Sequence, residues 1–127
     1  MRSSAPSTHL HGRKNPLHRQ TDRAQKQEAV LAYQQTIQQA FRKVSDSLVA
    51  YQKNQDFRQQ QQLLTNSAQN GSQLSNVRDA GGVTSYLEVL DTDTRYFEAQ
   101  INLAQAQLNE RLALVQVYKS LGGGWQP

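Results

Sequence analysis

Three carboxylates lie close together in the sequence: Glu88, Asp91 and Asp93 follow a pair of glycines, Gly81 and Gly82. Glu88 and Asp91 are three residues apart, so on a helix their side chains project from one face. Carboxylates gathered in this way favour cations over anions. The pattern therefore indicates an electrostatic role. Whether the carboxylates act together depends on the secondary-structure element that positions them.

The same acids also have a purely structural interpretation. Ser85 and Glu88 form an S-x-x-E capping box, in which the hydroxyl accepts a first-turn N–H and the carboxylate reaches back to the cap. Acids in a first turn also complement the helix dipole by ~0.3–1 kcal/mol each. Asp91 lies near the end of the dipole's reach and could equally pair with Arg95, four residues on. Capping and the helix dipole are thus sufficient to explain an acidic residue at Glu88. They explain less well why Asp91 is acidic.

Two helices separated by a hinge are predicted to position these acids. Residues 24–80 are rich in Gln, Ala, Leu, Lys and Arg, a helix-forming composition. Residues 81–84 form the hinge, because Gly81 and Gly82 can adopt the left-handed conformations that end a helix. A second helix is predicted over residues 85–121, and residues 122–127 form a glycine-rich tail.

The second helix carries a coiled-coil pattern, called the second-helix seam below. Its positions alternate in steps of three and four residues, and only a threonine and an arginine interrupt its apolar character. The seam consists of Leu87, Leu90, Thr94, Phe97, Ile101, Ala104, Leu108, Arg111, Val115 and Tyr118. A similar seam in the first helix runs through Val30, Ile37, Val44 and Tyr51. The predicted fold is all-α: a long antiparallel coiled-coil helical hairpin whose uncovered apolar surface requires further helices.

Composition limits the class of protein. Only 36% of the 127 residues are hydrophobic and the mean hydropathy is −0.78, which is a poor supply for a compact core. The chain has no cysteine, which excludes disulfides and thiolate metal sites. It also lacks the run of ~18 apolar residues that a transmembrane helix needs. The net charge of +4 lies in residues 1–23, which are predicted to be a disordered basic tail.

No residue pattern indicates catalysis or a cofactor. The sequence contains no G-x-S-x-G, P-loop, H-E-x-x-H or dinucleotide-binding turn, so an enzyme is not predicted. His9, His11 and His18 match no metal-binding spacing. The basic tail lacks the interleaved aromatic residues of a nucleic-acid site, and no nucleic-acid partner is predicted. The first 20 residues lack the apolar segment of a secretory signal, so the sequence as written predicts a cytoplasmic chain.

Two segments resemble the C-terminal repeat of the TolC/OprM-like outer membrane efflux proteins. The first is "GGVTSYLEVLDTDTRYFEAQINLAQAQLNERLALVQVYKSLGGGW", residues 81–125, with the family's S-Y-L-[DE]-V-L-D and Y-K-[AS]-L-G-G-G-W motifs. The second is "AVLAYQQTIQQAFRKVSDSLVAYQ", residues 29–52, which is similar to the long helix before that hairpin. The likeness covers about residues 24–125. Where the family usually has an aromatic residue after the arginine before the hinge, this sequence has Asp79.

The resemblance implies a homotrimeric exit duct for drugs or metabolites, located in the outer membrane and periplasm. It implies that Gly81, Gly82, Val83 and Thr84 form the tip that faces a periplasmic adaptor protein, with an inner membrane pump as the further partner. Asp91, and Glu88 beside it, would lie at the channel entrance. The family's first repeat and its outer membrane part have no counterpart in this sequence, so a fragment of such a duct is expected, with membrane contact only through the missing part.

A second class of function uses the same helices. In this alternative the chain is a free-standing soluble coiled-coil interaction module, and the seams drive the formation of a simple dimer or tetramer. Both alternatives require a long seam, so the length of the seam does not separate them.

Overall fold

A computed structural model describes residues 2–4 and 15–122 of the chain. Helix α1 runs from Pro16 to Ala80 and helix α2 from Tyr86 to Gly122, and the described residues contain no strand. The predicted all-α class is confirmed. The chain divides into two units, residues 1–39 and residues 40–127. The first unit holds the beginning of α1; the second holds the rest of α1 together with α2.

Helix α1 begins eight residues earlier than the sequence pattern predicts. The backbone N–H groups of His18 and Arg19 donate to the carbonyl of Asn15, at 2.8 and 3.2 Å. Asparagine is a favoured N-cap residue, and proline at the first helical position has a fixed φ suited to a helix. The prediction of a disordered tail over residues 1–23 is therefore wrong for residues 16–23. His9 and His11 lie outside the described residues, whereas His18 hydrogen-bonds Asp22 at 3.2 Å.

In the second unit, α1 and α2 pack antiparallel along one stripe of each helix, called the contact stripe below. Its positions are buried or half-buried and alternate in steps of three and four residues, the periodicity of a coiled coil. On α2 they are Val89, Thr92, Tyr96, Ala99, Leu103, Ala106, Glu110, Ala113, Val117 and Ser120. On α1 they are Val44, Ser47, Tyr51, Asn54, Arg58, Gln61, Thr65, Ala68, Ser72, Ser75 and Asp79.

The contact stripe is made of small and polar residues. Among the described residues, the buried hydrophobic side chains are Val89, Ala106 and Val117. The buried polar ones, all on α1, are Ser47, Thr65, Ser72 and Ser75. Small side chains let two helices approach closely, but they remove little apolar surface from water. The two helices therefore pack closely along the hairpin, but hydrophobic burial contributes little to its stability.

Polar bonds between the helices set their register. Four of the pairs that join α1 to α2 are Ser47 with Ser120 at 2.8 Å, Arg58 with Glu110 at 2.8 Å, Thr65 with the Ala99 carbonyl at 3.1 Å, and Ser75 with Thr92 at 2.9 Å. The hydrogen bond that the Arg58 guanidinium donates to the Glu110 carboxylate raises the pKa of Arg58 above its usual value. Since a slip of one residue would break each of these pairs, they specify one alignment of the helices.

The second-helix seam does not pack against α1. It lies two residues out of phase with the contact stripe, which is a turn of roughly 200° around a helix. Its side chains consequently face away from α1, with Leu87, Phe97 and Leu108 exposed to 76%, 62% and 54%. On α1, Val44 and Tyr51 of the predicted seam do lie in the contact stripe. Within the described ranges, neither helix has a stretch that is long and apolar enough to span a membrane.

Candidate functional site

The tip of the hairpin is a helix C-terminal motif built on one glycine. The N–H of Val83 donates to the Arg78 carbonyl at 2.9 Å, and the N–H of Gly82 donates to the Asp79 carbonyl at 2.9 Å. These two bonds are the Schellman pattern, which satisfies carbonyls that the end of α1 leaves without partners. Gly82 has a φ of 74°, whereas Gly81 is not in the left-handed region. The prediction that both glycines are left-handed is thus correct only for Gly82.

The two tip glycines should respond differently to alanine. At Gly82 a Cβ would meet no neighbour but would be held at a positive φ, so Gly82→Ala should destabilise the hairpin by ~1–2 kcal/mol. At Gly81 a Cβ would make ordinary contacts with backbone oxygens 3.5 and 3.6 Å away, so Gly81→Ala should be neutral or stabilising by up to ~1 kcal/mol. Urea unfolding followed by circular dichroism measures both. Equal losses in the two variants would contradict this account of the tip.

The side chains at the tip are open to contact. Val83 is 79% exposed and Thr84 is half-buried. Val77 of α1 and Tyr86 of α2 are exposed beside them. The tip therefore presents a small apolar surface.

The predicted capping box at the start of α2 is not formed. The N–H of Glu88 donates to the backbone carbonyl of Ser85 at 3.0 Å, and among the described residues neither side chain makes a hydrogen bond. The Ser85 carbonyl therefore accepts the hydrogen bond from the Glu88 N–H that, in a capping box, the Ser85 hydroxyl would accept. The Glu88 carboxylate is consequently free of the cap and exposed, so capping does not account for it.

Asp91 pairs with Arg95 on the same helix. The carboxylate lies 3.1 Å from Nε of the guanidinium, and the two side chains are 61% and 73% exposed. A surface pair at this spacing contributes only ~0.3–0.5 kcal/mol. Asp91 therefore remains accessible to solvent and to any partner, although the positively charged Arg95 guanidinium lies beside it.

Asp93 has a different role from the other two acids. Its carboxylate accepts a hydrogen bond from the Ser72 hydroxyl of α1 and lies 3.5 Å from the Asn76 side-chain nitrogen. This contact across the helices was not predicted from the sequence. The three acids of the tip are therefore divided between two sides of α2: Glu88 and Asp91 lie on one side, and Asp93 reaches α1.

What the site can do chemically follows from these contacts. No group of histidines and carboxylates suited to a metal ion occurs in the part of the chain that the structure describes. Glu88 and Asp91 are exposed carboxylates one helical turn apart, close to an exposed tip. This arrangement can attract a cation or a basic partner.

Comparison with known proteins assigns the chain to a family. The family model described as outer membrane efflux protein matches residues 12–123. Outer membrane protein OprJ of Pseudomonas aeruginosa is 35% identical over 102 residues, and toluene efflux pump outer membrane protein TtgI of Pseudomonas putida is 39% identical over 101 residues. Cation efflux system protein CusC of Escherichia coli is 35% identical over 100 residues.

These matches cover about four fifths of the chain. Specifically, they cover 80%, 80% and 79% of this chain, but 21%, 22% and 22% of OprJ, TtgI and CusC. The chain thus spans about a fifth of the length of the curated relatives it matches. No solved structure matches it significantly. Because the family model covers most of the sequence, the chain belongs to the outer membrane efflux protein family.

Proposed function

We propose that the chain is a helical-hairpin segment of an outer membrane efflux duct, which passively conducts small molecules or ions exported by a separate inner membrane pump. The relatives support this proposal, since their names describe an outer membrane protein, an efflux pump outer membrane protein and an efflux system protein. Those names mention toluene in one case and cations in another. The proposed exported substrates are therefore drugs, metabolites or other small solutes.

The observation that carries the proposal is that α2 has two packing faces. One face is the contact stripe against α1, and the other is the second-helix seam, which is exposed on the opposite side. A helix in the wall of a tube contacts a neighbour on each side, so it needs two such faces. An isolated hairpin needs only one. We assign the seam to further helices of a homotrimeric wall, with Leu87, Leu90, Phe97, Ile101, Leu108 and Val115 as its packing residues.

The tip is proposed to be the entrance of the duct. Around a threefold axis, Asp91 and Glu88 of three copies would form a ring of negative charge that favours cations. Their exposure and their position in the first turns of α2 support this assignment. Gly81, Gly82, Val83 and Thr84 are proposed to face the periplasmic adaptor. The location that follows is the periplasm and outer membrane.

A chimera tests the proposal in a complete duct. The matching segment of OprJ is replaced by residues 24–122 of this chain, and we expect the chimera to restore efflux in a strain that lacks OprJ. Double replacement of Asp91→Asn and Glu88→Gln should lower the cation preference of the purified chimera in planar bilayers. The control is Asp93→Asn, compared with the single variant Asp91→Asn, because each removes one negative charge and only Asp93 contacts α1.

Two outcomes would contradict the proposal. A chimera that reaches the outer membrane but does not restore efflux would contradict the role in conduction. Equal changes in ion selectivity for Asp91→Asn and for Asp93→Asn would contradict the placement of Asp91 and Glu88 at the entrance.

The second candidate function is a soluble coiled-coil interaction module. It is favoured by one observation: the hairpin contact is complete within a single chain, and the second-helix seam keeps a heptad pattern over residues 87–118 on an exposed face. Such a seam binds another helix without requiring a membrane.

A further inference from the structure

Helix α2 has a third stripe of residues between its two packing faces, called the polar stripe below. Its positions also alternate in steps of three and four residues, and each lies one residue before a position of the contact stripe. All ten positions are exposed, and nine of them carry polar or charged side chains. They are Glu88, Asp91, Arg95, Glu98, Asn102, Gln105, Asn109, Leu112, Gln116 and Lys119.

We propose that the polar stripe lines the conducting path of the duct, and that Glu98 is a further residue that determines its ion selectivity. The assignment rests on the proposed function, because it starts from Glu88 and Asp91 at the entrance. It extends the path from the tip along the stripe, over roughly 47 Å of α2 at 1.5 Å per residue.

The position of the polar stripe around α2 leaves it uncovered in the wall of a tube. One residue turns a helix by about 100°, so the polar stripe lies roughly 100° from the contact stripe and roughly 100° from the second-helix seam. Helix α1 covers the contact stripe, and the seam is assigned to further helices of the wall. Two flanks of α2 then remain in water, one towards the lumen and one towards the outside of the tube.

The opposite flank of α2 is less polar and is called the back line below. It has one residue per heptad, and three of its six side chains are aliphatic or aromatic, compared with one of ten in the polar stripe. Groups that donate and accept hydrogen bonds are the lining that a path for hydrophilic solutes requires. The composition of the two flanks thus favours the polar stripe as the lumenal one. The back line consists of Tyr86, Asp93, Gln100, Gln107, Leu114 and Leu121.

The polar stripe borders grooves between the helices near both ends of α2. Near the tip, Arg95 lines a groove together with Gly71 of α1. Near the C-terminal end of α2, Lys119 lines a groove together with Lys43 and Asp46 of α1. Because Arg95 and Lys119 both belong to the polar stripe, the two grooves open on the same side of the hairpin. The proposed lumenal face therefore includes polar side chains of both helices.

The acids of the polar stripe are concentrated near the tip. Glu98 follows Asp91 by one heptad, so its carboxylate lies on the same side of α2 and roughly 10 Å farther from the tip. Arg95 lies between these two acids and pairs with Asp91 at 3.1 Å. Within the described residues Glu98 forms no salt bridge, so no paired cation offsets its charge. Three copies of Glu98 would form a second negative ring behind the entrance.

Cysteine modification in the OprJ chimera tests which flank of α2 faces the lumen. The grafted segment has no native cysteine. Gln105 of the polar stripe and Gln107 of the back line are both exposed and two residues apart, so they are a matched pair. A positively charged methanethiosulfonate reagent should lower the cation-to-anion permeability ratio of Gln105→Cys channels roughly twofold in planar bilayers, because three cations are added to the path. Gln107→Cys channels should not respond.

Two charge removals in the same chimera test the role of Glu98. Glu98→Gln should lower the cation-to-anion permeability ratio roughly twofold, whereas Arg95→Gln should raise it by a similar factor, because it removes a cation from the same stripe. Asp93→Asn on the back line is the control and should leave the ratio unchanged. Circular dichroism of the purified chimeras verifies equal helix content. Shifts of the same sign for Glu98→Gln and Arg95→Gln would overturn the proposal.

The outcomes separate the lining from the entrance. If Asp91→Asn lowers the cation preference while Gln105→Cys and Glu98→Gln have no effect, the entrance stands and the lining by the polar stripe is wrong. If Asp91→Asn has no effect and Gln105→Cys responds, the polar stripe lines the path and the charge selection at the tip is wrong. An equal response of Gln105→Cys and Gln107→Cys would also overturn the lining, because the two flanks cannot both face the lumen.

Discussion

Replacing Ala106 by leucine should lower the free energy of unfolding of the hairpin by about 1–3 kcal/mol. Ala106 is 1% exposed and lies in the contact stripe, with Ala99 and Ala113 one heptad away on either side. Small residues at these positions set how closely α1 and α2 approach. Because Ala106 is almost completely buried between the helices, three additional carbon atoms there require the helices to separate locally and strain the polar bonds beside them. Urea unfolding at low protein concentration measures the loss.

The matched control is the same substitution on the other side of α2. Ala104→Leu adds the same atoms to an exposed position of the second-helix seam, so the free energy of unfolding of the monomeric chain should change by less than ~0.5 kcal/mol. If both variants lose the same stability, the contact stripe is not the surface on which the helices pack. If neither does, the interface is loose enough to accept a larger side chain.

The hairpin itself follows from local sequence signals. The helix-forming composition of residues 24–80 and the glycine pair predict two helices and the hinge between them. Asn15 followed by Pro16 is also a local helix-start signal. The basic composition of residues 1–23 nevertheless predicts disorder, which is wrong for the first two turns of α1. Local signals decide where helices begin and end because capping involves only neighbouring residues.

The surface on which the helices meet does not follow from the largest residues. A coiled-coil pattern is identified by large apolar side chains, and in α2 these form the second-helix seam, which faces away from α1. The actual contact uses Ala106 and small polar residues such as Ser72 and Ser75, which also repeat in steps of three and four. Two heptad patterns therefore share α2. A single sequence gives no rule for which of the two is covered by the partner within the hairpin.

Of the contacts that the acidic residues near the tip make, one can likewise be predicted from the sequence and one cannot. The pairing of Asp91 with Arg95 is foreseeable, since residues four apart on a helix are neighbours. The bond between Asp93 and Ser72 is not, because it depends on the register in which α1 and α2 align. That register is set by pairs far apart in sequence, such as Arg58 with Glu110.

Two glutamates in the second-helix seam should abolish efflux by the OprJ chimera. Phe97 and Ile101 are 62% and 50% exposed in the isolated chain, so Phe97→Glu with Ile101→Glu leaves the hairpin folded. In an assembled wall both side chains would be buried between helices, and three copies would bring six carboxylates into apolar contacts. Each buried, unpaired charge costs several kcal/mol, which exceeds what a helix–helix contact supplies. Complementation should fall to the level of the empty vector.

The control for this prediction keeps the added charge and changes only the face. Asn102→Glu with Asn109→Glu also adds two glutamates to exposed positions of α2, but outside both the seam and the contact stripe. These variants should retain efflux and should reach the outer membrane in normal amounts, as measured by immunoblotting of membrane fractions. Loss of efflux only in the seam variant identifies the seam as a face buried in the assembled duct. Full efflux in the seam variant would mean that the face stays in water, and the argument from two packing faces would then fail.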